Sequence, residues 1–366
     1  MENTKQRGTI LRKDILLCTY CSKLCRFSCP VGEASGNETF TPWGKQSILF
    51  EIERQNLPSS EEYLFVPFAC LECKRCKIFC EYRVDVSECL RMGRIRAFER
   101  KKLPPAIIEK HKNIKEREEL AKKILERKFP LLKQTIHNKI LLMPGCTTAL
   151  NDLTAIEGAI KLATELAGED IGLLSSLCCG LPYLQAGDID NFKISALRMQ
   201  EVIKKSSLII VMDPGCAYTM KKLYRQYEIN LNPRIVTLVE FISPYTSYFR
   251  KKVQIPQPVF YHDPCHLSRD LGITDEPRDI LMRIIPSGIK NLFYNREKTL
   301  CCGGGGALPE TMPEISHAIA RKLVELYKKS EAASIVTACP TCKSMISRVA
   351  GAPPVFDIAE LASKSL

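Results

Sequence analysis

A chain of 366 residues with 45% apolar content is long enough for two or three compact domains, each with its own core. Eighteen cysteines in a chain of this size do not read as a disulfide scaffold, which belongs to short secreted domains. No run approaches the ~18 apolar residues of a membrane helix, and the opening MENTKQRGTILRKDILLC lacks the core and cleavage site of a signal peptide, so a cytoplasmic location is expected, peripheral at a membrane only through a partner subunit.

The formal net charge of +12 is concentrated in one place. Between Arg91 and Lys139 stand sixteen Lys/Arg against six Asp/Glu. That segment carries no nucleic-acid-binding motif, so it reads as a solvated helical face and no nucleic-acid partner is expected. Thiolates bound to metal would make the true charge less positive.

Residues 1–98 hold nine of the cysteines. Eight form two runs, Cys18-x2-Cys21-x3-Cys25-x3-Cys29-Pro30 and Cys70-x2-Cys73-x2-Cys76-x3-Cys80. This is the spacing of a two-cluster bacterial ferredoxin, in which three cysteines of a run hold one [4Fe–4S] cubane and the fourth ligates the other. Cys18, Cys21, Cys25 and Cys80 are therefore expected at one cubane, and Cys70, Cys73, Cys76 and Cys29 at the other. An α-helical two-cluster domain follows. Two features depart from the usual pattern: an extra residue precedes Cys25, and Glu81 stands where a proline often follows the last cysteine. CxxC pairs also build zinc sites, but zinc does not need the third close cysteine or the crossed fourth. Cys89 fits no pattern and reads as a buried free thiol.

Residues 99–138 contain no cysteine. Ile107, Ile108, Ile114, Leu120, Ile124, Leu125 and Phe129 recur at loosely helical spacing, and the segment reads as a basic helical linker. Residues 139–366 contain an internal repeat, with corresponding positions 119 to 126 residues apart. The first copy (139–250) runs through KILLMPGC, IGLLSSLCCG, SLIIVMDPGC and RIVTLVEFI. The second (251–366) runs through PVFYHDPCHL, TLCCGGGG, ASIVTACPTC and PVFDIAEL. Short β-rich runs alternate with amphipathic helical stretches, which implies mostly parallel sheets covered by helices. The cysteines fall where strands end, the place of binding crevices in open α/β sheets.

The second copy gathers Cys265, Cys301, Cys302, Cys339 and Cys342 from three loops. Adjacent cysteines suit a multi-iron cluster better than one tetrahedral ion. The glycines after them, Gly303 and Gly304 first, allow close backbone approach and N–H donation to sulfur. This pattern, with YHDPCHLSRDLGITDEPRDIL and TACPTC, resembles the CCG-domain proteins, above all the D-type subunit of heterodisulfide reductase. Iron–sulfur subunits of glycolate, lactate and glycerol-3-phosphate dehydrogenases are related. The resemblance covers nearly the whole chain and implies a ferredoxin domain fused to two α/β CCG domains. It also implies a non-cubane [4Fe–4S] cluster on those five cysteines, at which a disulfide is cleaved.

The first copy has Cys146, Cys178, Cys179 and Cys216, but Asp213 replaces a cysteine. The alternatives there are an altered cluster, a zinc ion, or a purely structural role. His262 and His266 flank Cys265, either to donate a proton or to orient the loop. No GxGxxG follows a strand, so no FAD or NAD site is expected. The chain is expected to be an oxidoreductase subunit fed by a redox partner, a flavoprotein or a membrane cytochrome or quinone-reactive subunit, and acting on a small-molecule disulfide. The alternative is a non-catalytic relay between a flavoprotein dehydrogenase and a quinone or cytochrome.

Overall fold

The computed structural model describes residues 13–132, 139–175 and 178–366. Two compact units emerge. One takes the described residues up to Lys112 with Pro182–Ile189 and Leu300–Leu323; the other takes Asn113–Leu181, Asp190–Thr299 and Val324–Leu366. The units do not follow chain order, because a short piece from each half of the repeat packs with the N-terminal cysteines.

The first unit is helical. Helix Pro42–Glu53 starts at Thr41, whose hydroxyl accepts from the Gly44 N–H, with Pro42 preset in the first turn. Asp85 caps Val86–Glu99 by accepting from the Glu88 N–H. These two helices pack on each other. One apolar cluster joins Ile15, Leu49, Val84 and Leu90 to Cys18 and Cys89. A second joins Ile52, Phe68, Ala97 and Ile107 to Ala186 and Ala307, which anchors both inserted pieces. Cys89 is fully buried.

The second unit holds two parallel sheets. In the first, β1 (Ile140–Met143), β2 (Ile171–Leu173), β3 (Leu208–Val211) and β4 (Arg234–Thr237) lie in the order β2-β1-β3-β4. In the second, β5 (Val259–His262), β6 (Ser334–Thr337) and β7 (Val355–Asp357) lie in the order β5-β6-β7. An isolated parallel bridge between Phe260 and Lys290 supplies the missing neighbour on the far side of β5. The second sheet therefore has the strand order of the first, and the repeat read from sequence is a repeat of topology. The strands are nearly continuous buried apolar runs, as parallel strands covered on both faces must be.

Within the basic segment two helices form, and residues 133–138 of the expected linker lie outside the described residues. Helix Ile114–Lys128 turns Ile114, Ala121 and Leu125 inward, and the last two join the core of the second unit. Helix Pro105–Lys112 buries Ile107 in the first.

Candidate metal centres

The N-terminal thiols assemble into two sets. Burial pushes the Cys18 thiol well above its ordinary value, and Cys25, Cys21 and Cys80 add to the rise. Cys25 is pushed up to about 11 by burial, then by Cys80 and Cys21. These are the four residues expected together. The second set, Cys29, Cys70, Cys73 and Cys76, lines one cavity, with Lys45, Leu71 and Lys74 in its wall. Cys29 comes from the first run and the other three from the second, so the crossing is present in the fold.

The chain bends tightly around this cavity. Glu72 and Lys74 adopt left-handed backbone angles, φ 54° and 55°, in the loop that carries Cys70, Cys73 and Cys76. Such strained non-glycine residues gather where a ligand-holding loop is over-determined by its surroundings. The Glu72 N–H donates to Cys70 Sγ at 3.4 Å, and Lys45 Nζ donates to Cys29 Sγ at 3.9 Å. Burial pushes Cys70 up to about 11, while Lys45 and Arg94 pull it down. Cys76 is raised well above its ordinary value by burial and by Cys29, Cys73 and Cys70. Burial disfavours bare thiolates at Cys70 and Cys76 while cations stand beside the set, so the site fits thiolates bound to a cationic iron–sulfide core.

The CCGGGG turn also belongs to the first unit. Cys301 and Cys302 are buried. Gly303 has φ +90° and its carbonyl accepts from Ser316 Oγ at 2.8 Å. A Cβ on Gly305 would lie 2.4 Å from the Leu71 carbonyl oxygen, and one on Gly306 2.1 Å from that of Cys70. No side chain fits there. These two glycines let the turn rest directly on the loop that holds the second thiol set. The sequence points to close backbone approach along Gly303 to Gly306, with Gly303 and Gly304 as the cofactor-binding pair; the contact with Cys70 and Leu71 falls on Gly305 and Gly306 and joins residues too distant for spacing to reveal.

In the second unit the first copy of the repeat brings its four cysteines into a row. Cys146 follows β1, Cys178 and Cys179 follow β2, and Cys216 follows β3, all at the carboxyl edge of one sheet. Cys146 is raised well above its ordinary value by its hydrogen bond with Cys178 and then by burial. Cys178 shares a hydrogen bond with Cys179, and Cys179 one with Cys216, all as free thiols. The bond from Cys179 lowers Cys216, but burial and Asp213 outweigh it and leave that thiol at about 12. The Tyr224 hydroxyl donates to the Cys179 carbonyl at 2.9 Å. Asp213 caps the short helix Pro214–Tyr218, its Oδ1 accepting from the Gly215 N–H at 2.7 Å. Burial raises its pKa against that bond and the His266 ring.

In the second copy Cys265 follows β5, and Cys339 and Cys342 open the helix Pro340–Ser347 after β6. The register His262↔Thr337 carries these three cysteines to one edge of the sheet. The other two residues of the five-cysteine set, Cys301 and Cys302, are carried by the first unit. His262 is buried, with Nδ1 3.0 Å from the Tyr327 hydroxyl. His266 Nδ1 lies 2.7 Å from Asp270 Oδ2, and its ring stacks on Tyr218 at 5.4 Å and 14°. Both rings are held in ways that orient the Cys265 loop. Asp263 and Arg278 form a bidentate pair at 2.8 Å, and the Arg296 N–H donates to Asp263 at 2.8 Å. This brace was not singled out from sequence, although both partners stand in YHDPCHLSRDLGITDEPRDIL; an Asp and an Arg fifteen residues apart give no local signal. Among the described residues, no three His, Cys, Asp or Glu side chains converge as tightly as a single metal ion requires.

Comparison with known proteins gives the chain its relatives. A 4Fe-4S dicluster domain matches residues 14–84, and a cysteine-rich domain (CCG) matches twice, at 140–221 and 259–347. The D-type subunit of the dihydromethanophenazine:CoB–CoM heterodisulfide reductase of Methanosarcina mazei is 25% identical over 382 residues, covering 93% of this chain and 90% of that one. One subunit of the fumarate reductase (CoM/CoB) of Methanothermobacter marburgensis is 33% identical over 168 residues, covering 46% of this chain; the match spans only 33% of the relative's length. Lactate utilization protein A 2 of Bacillus cereus is 27% identical over 175 residues, covering 45% of this chain and 71% of that one. A hypothetical protein from Helicobacter pylori shares the fold, with TM-score 0.54 at 11% identity over 100% of this chain and 76% of the other. Among the described residues no helix is long and apolar enough to cross a membrane.

Proposed function

We propose, from the premise that the chain belongs to the iron–sulfur proteins joining a 4Fe–4S dicluster domain to two cysteine-rich CCG domains, that it carries electrons from a redox partner to a disulfide. Cys18, Cys21, Cys25 and Cys80 hold one cubane, and Cys29, Cys70, Cys73 and Cys76 hold the other. Cys265, Cys301, Cys302, Cys339 and Cys342 hold a non-cubane cluster. Gly303 carries the turn after Cys302, and Gly304 continues it. The observation that supports this most is the single cavity lined by Cys29 from one run and Cys70, Cys73 and Cys76 from the other. Likeness over nearly the whole chain to a heterodisulfide reductase subunit supports the disulfide end.

Bound in these sites, iron–sulfur clusters supply single-electron storage at potentials set by charge, hydrogen bonds and exposure. The overall reaction takes a small-molecule disulfide, two electrons and two protons to two thiols. The electrons come singly from the partner, a flavoprotein or a membrane cytochrome or quinone-reactive subunit. The chain's own residues hold the thiolate set, fix the loops through Asp263–Arg278 and His266–Asp270, and keep water out by burying Cys301 and Cys302. The row Cys146, Cys178, Cys179 and Cys216 supplies four soft thiolates, a set suited to an iron–sulfur cluster or a zinc ion.

Anaerobic protein should carry roughly twelve irons per chain from two cubanes and one four-iron cluster, and more with the first copy filled. Reduced methyl viologen should be oxidised when a small-molecule disulfide is added, and Cys301→Ala should abolish this. If the wild type gives no turnover while a flavoprotein dehydrogenase co-purifies, the relay reading replaces this one. The likeness to lactate utilization protein A keeps that outcome open to test.

A further inference from the structure

Lys45 is 2% exposed and lies in the wall of the cavity formed by Cys29, Cys70, Cys73 and Cys76. Its ammonium reaches Cys29 Sγ at 3.9 Å. Among the described residues no carboxylate pairs with it. A buried charge without a counter-ion is costly, so the position asks for an anion in the cavity. Four thiolates on an iron–sulfide core form such an anion, because the thiolate charge exceeds that of the core. Reduction by one electron makes the anion stronger.

A second buried cation stands nearby. Arg94 is fully buried and pairs with Glu72, which sits between Cys70 and Cys73. Gln185 Nε2 donates to the other Glu72 oxygen at 3.2 Å. Arg94 Nε and Nη1 have no hydrogen-bond partner among the described residues. Arg75 is buried as well, its Nη1 donating to the Ser28 carbonyl at 3.1 Å. Lys45, Lys74, Arg75 and Arg94 thus stand against Glu72 and Asp85 around this thiol set.

The other thiol set has different surroundings. The principal influences on Cys18 are burial and other thiols, with no cation among them. Its neighbour Cys89 faces Asp14, Asp85 and Glu88. Asp85 pairs with Lys77 at 3.1 Å and with Lys74 at 3.4 Å, and Lys74 itself lies in the wall of the cavity formed by the second thiol set. The CCGGGG turn rests on the loop of the second set, through Gly305 and Gly306 against Leu71 and Cys70.

We propose that Lys45, with the Arg94–Glu72 pair behind it, gives the dicluster domain a direction: the Cys29/Cys70/Cys73/Cys76 site is the higher-potential exit, coupled through Gly305 and Gly306 to Cys301 and Cys302, and the Cys18/Cys21/Cys25/Cys80 site is the lower-potential entrance. This rests on the reading that the eight cysteines hold two cubanes. Each electron from the partner reduces the entrance site by one and is given up in turn to the exit site, so the chain gains and loses one electron per transfer. Lys45 is a positioning residue for charge; it favours the reduced, more anionic state of the site beside it.

An anaerobic redox titration of the whole protein, followed by electron paramagnetic resonance, separates the possibilities. Wild type should show two cubane waves. Lys45→Met, which keeps the side-chain length and removes the charge, should move the higher wave downward by about tenfold in its reduction equilibrium, or about 59 mV for a one-electron couple, and leave the lower wave in place. Glu72→Gln should move the same wave upward. Movement of the lower wave, equal movement of both, or none at all with iron content unchanged would overturn the proposal. Absence of two cubane waves from the wild type would overturn the dicluster reading instead.

Discussion

The two copies of the repeat place different residues at the same point. Asp213 ends the loop after β3, Cys339 ends the loop after β6, and each is followed by a proline and, three positions on, by a cysteine. Both stand at the cap of the helix that carries that cysteine. Asp213 commits its side chain to the helix, accepting from Gly215. Cys339 makes no capping hydrogen bond. The first copy has exchanged a candidate ligand for a cap, while its other four thiols stay in a bonded row.

The largest effect should come from imposing the first copy on the second. Cys339→Asp converts the five-cysteine set into a four-cysteine set with a capped helix. Loss of a partner around a metal ligand alone costs 10–100-fold, so loss of the ligand should lower disulfide-dependent viologen oxidation by at least about 100-fold. Iron should fall by up to about four per chain. Retention of both iron and turnover would show that Cys339 is no more a ligand than Asp213.

A further contrast lies between two glycines of the first unit with the same backbone. Gly306 has φ +61° and no room for a Cβ, which would meet the Cys70 oxygen at 2.1 Å. Gly36 has φ +63° with nothing within 4 Å. Alanine at either site incurs a left-handed cost of about 1–2 kcal/mol, but only Gly306→Ala must displace the Cys70 loop. Gly306→Ala should weaken or abolish the higher-potential cubane wave, whereas Gly36→Ala should leave both waves intact and lower only the melting midpoint. Equal effects would reduce the contact to a packing detail.

These sites divide by how far apart their parts lie in sequence. The dicluster domain was legible because three cysteines of each set lie within a few residues and their spacing carries the pattern. The repeat was legible because its strands are buried apolar runs ending at cysteines, a pattern that survives sequence divergence. Lys45 was not legible: it is a lysine among polar and apolar residues of an ordinary helix, and its value comes from burial beside Cys29, sixteen positions away. The contact of Gly305 and Gly306 with Leu71 and Cys70 spans more than 230 residues, beyond any local signal. Nor did the periodicity of 99–138 foretell that its two helices would join separate cores.

The repeat also differs where β4 and β7 end. Thr237 opens its helix with a capping box, exchanging hydrogen bonds with Glu240. The corresponding residue of the second copy, Asp357, caps with a carboxylate that accepts from Ala359 at 2.8 Å. Burial, with Asp152 and Glu360 nearby, raises Asp357 to about 7 against its cap bond and Lys343. Its folded pKa therefore exceeds the unfolded value of 3.8, the native state holds the extra proton, and stability falls as pH rises from about 4 to 7. Asp357→Thr, the residue of the first copy, should remove that fall and leave the protein about 2–4 kcal/mol more stable than wild type at pH 8. Near pH 4 the advantage should vanish. Parallel melting curves at both pH values would refute the assignment.

The smallest expected effect tests the cap itself. Asp213→Asn keeps an oxygen for the Gly215 N–H and should cost only a few tenths of a kcal/mol, while Asp213→Ala removes it and should cost about 1 kcal/mol. Asp213→Cys gives the first copy the residue of the second at a similar loss of capping. If the aspartate is only a cap, all three variants should keep the iron content of wild type, and Asp213→Cys should gain none. If Asp213→Ala loses iron while Asp213→Asn does not, the oxygen serves the metal as well as the helix. The two copies would then differ in ligand type rather than in ligand number. Iron per chain, read beside the melting midpoint, separates these outcomes because a lost cap lowers the midpoint without touching the iron.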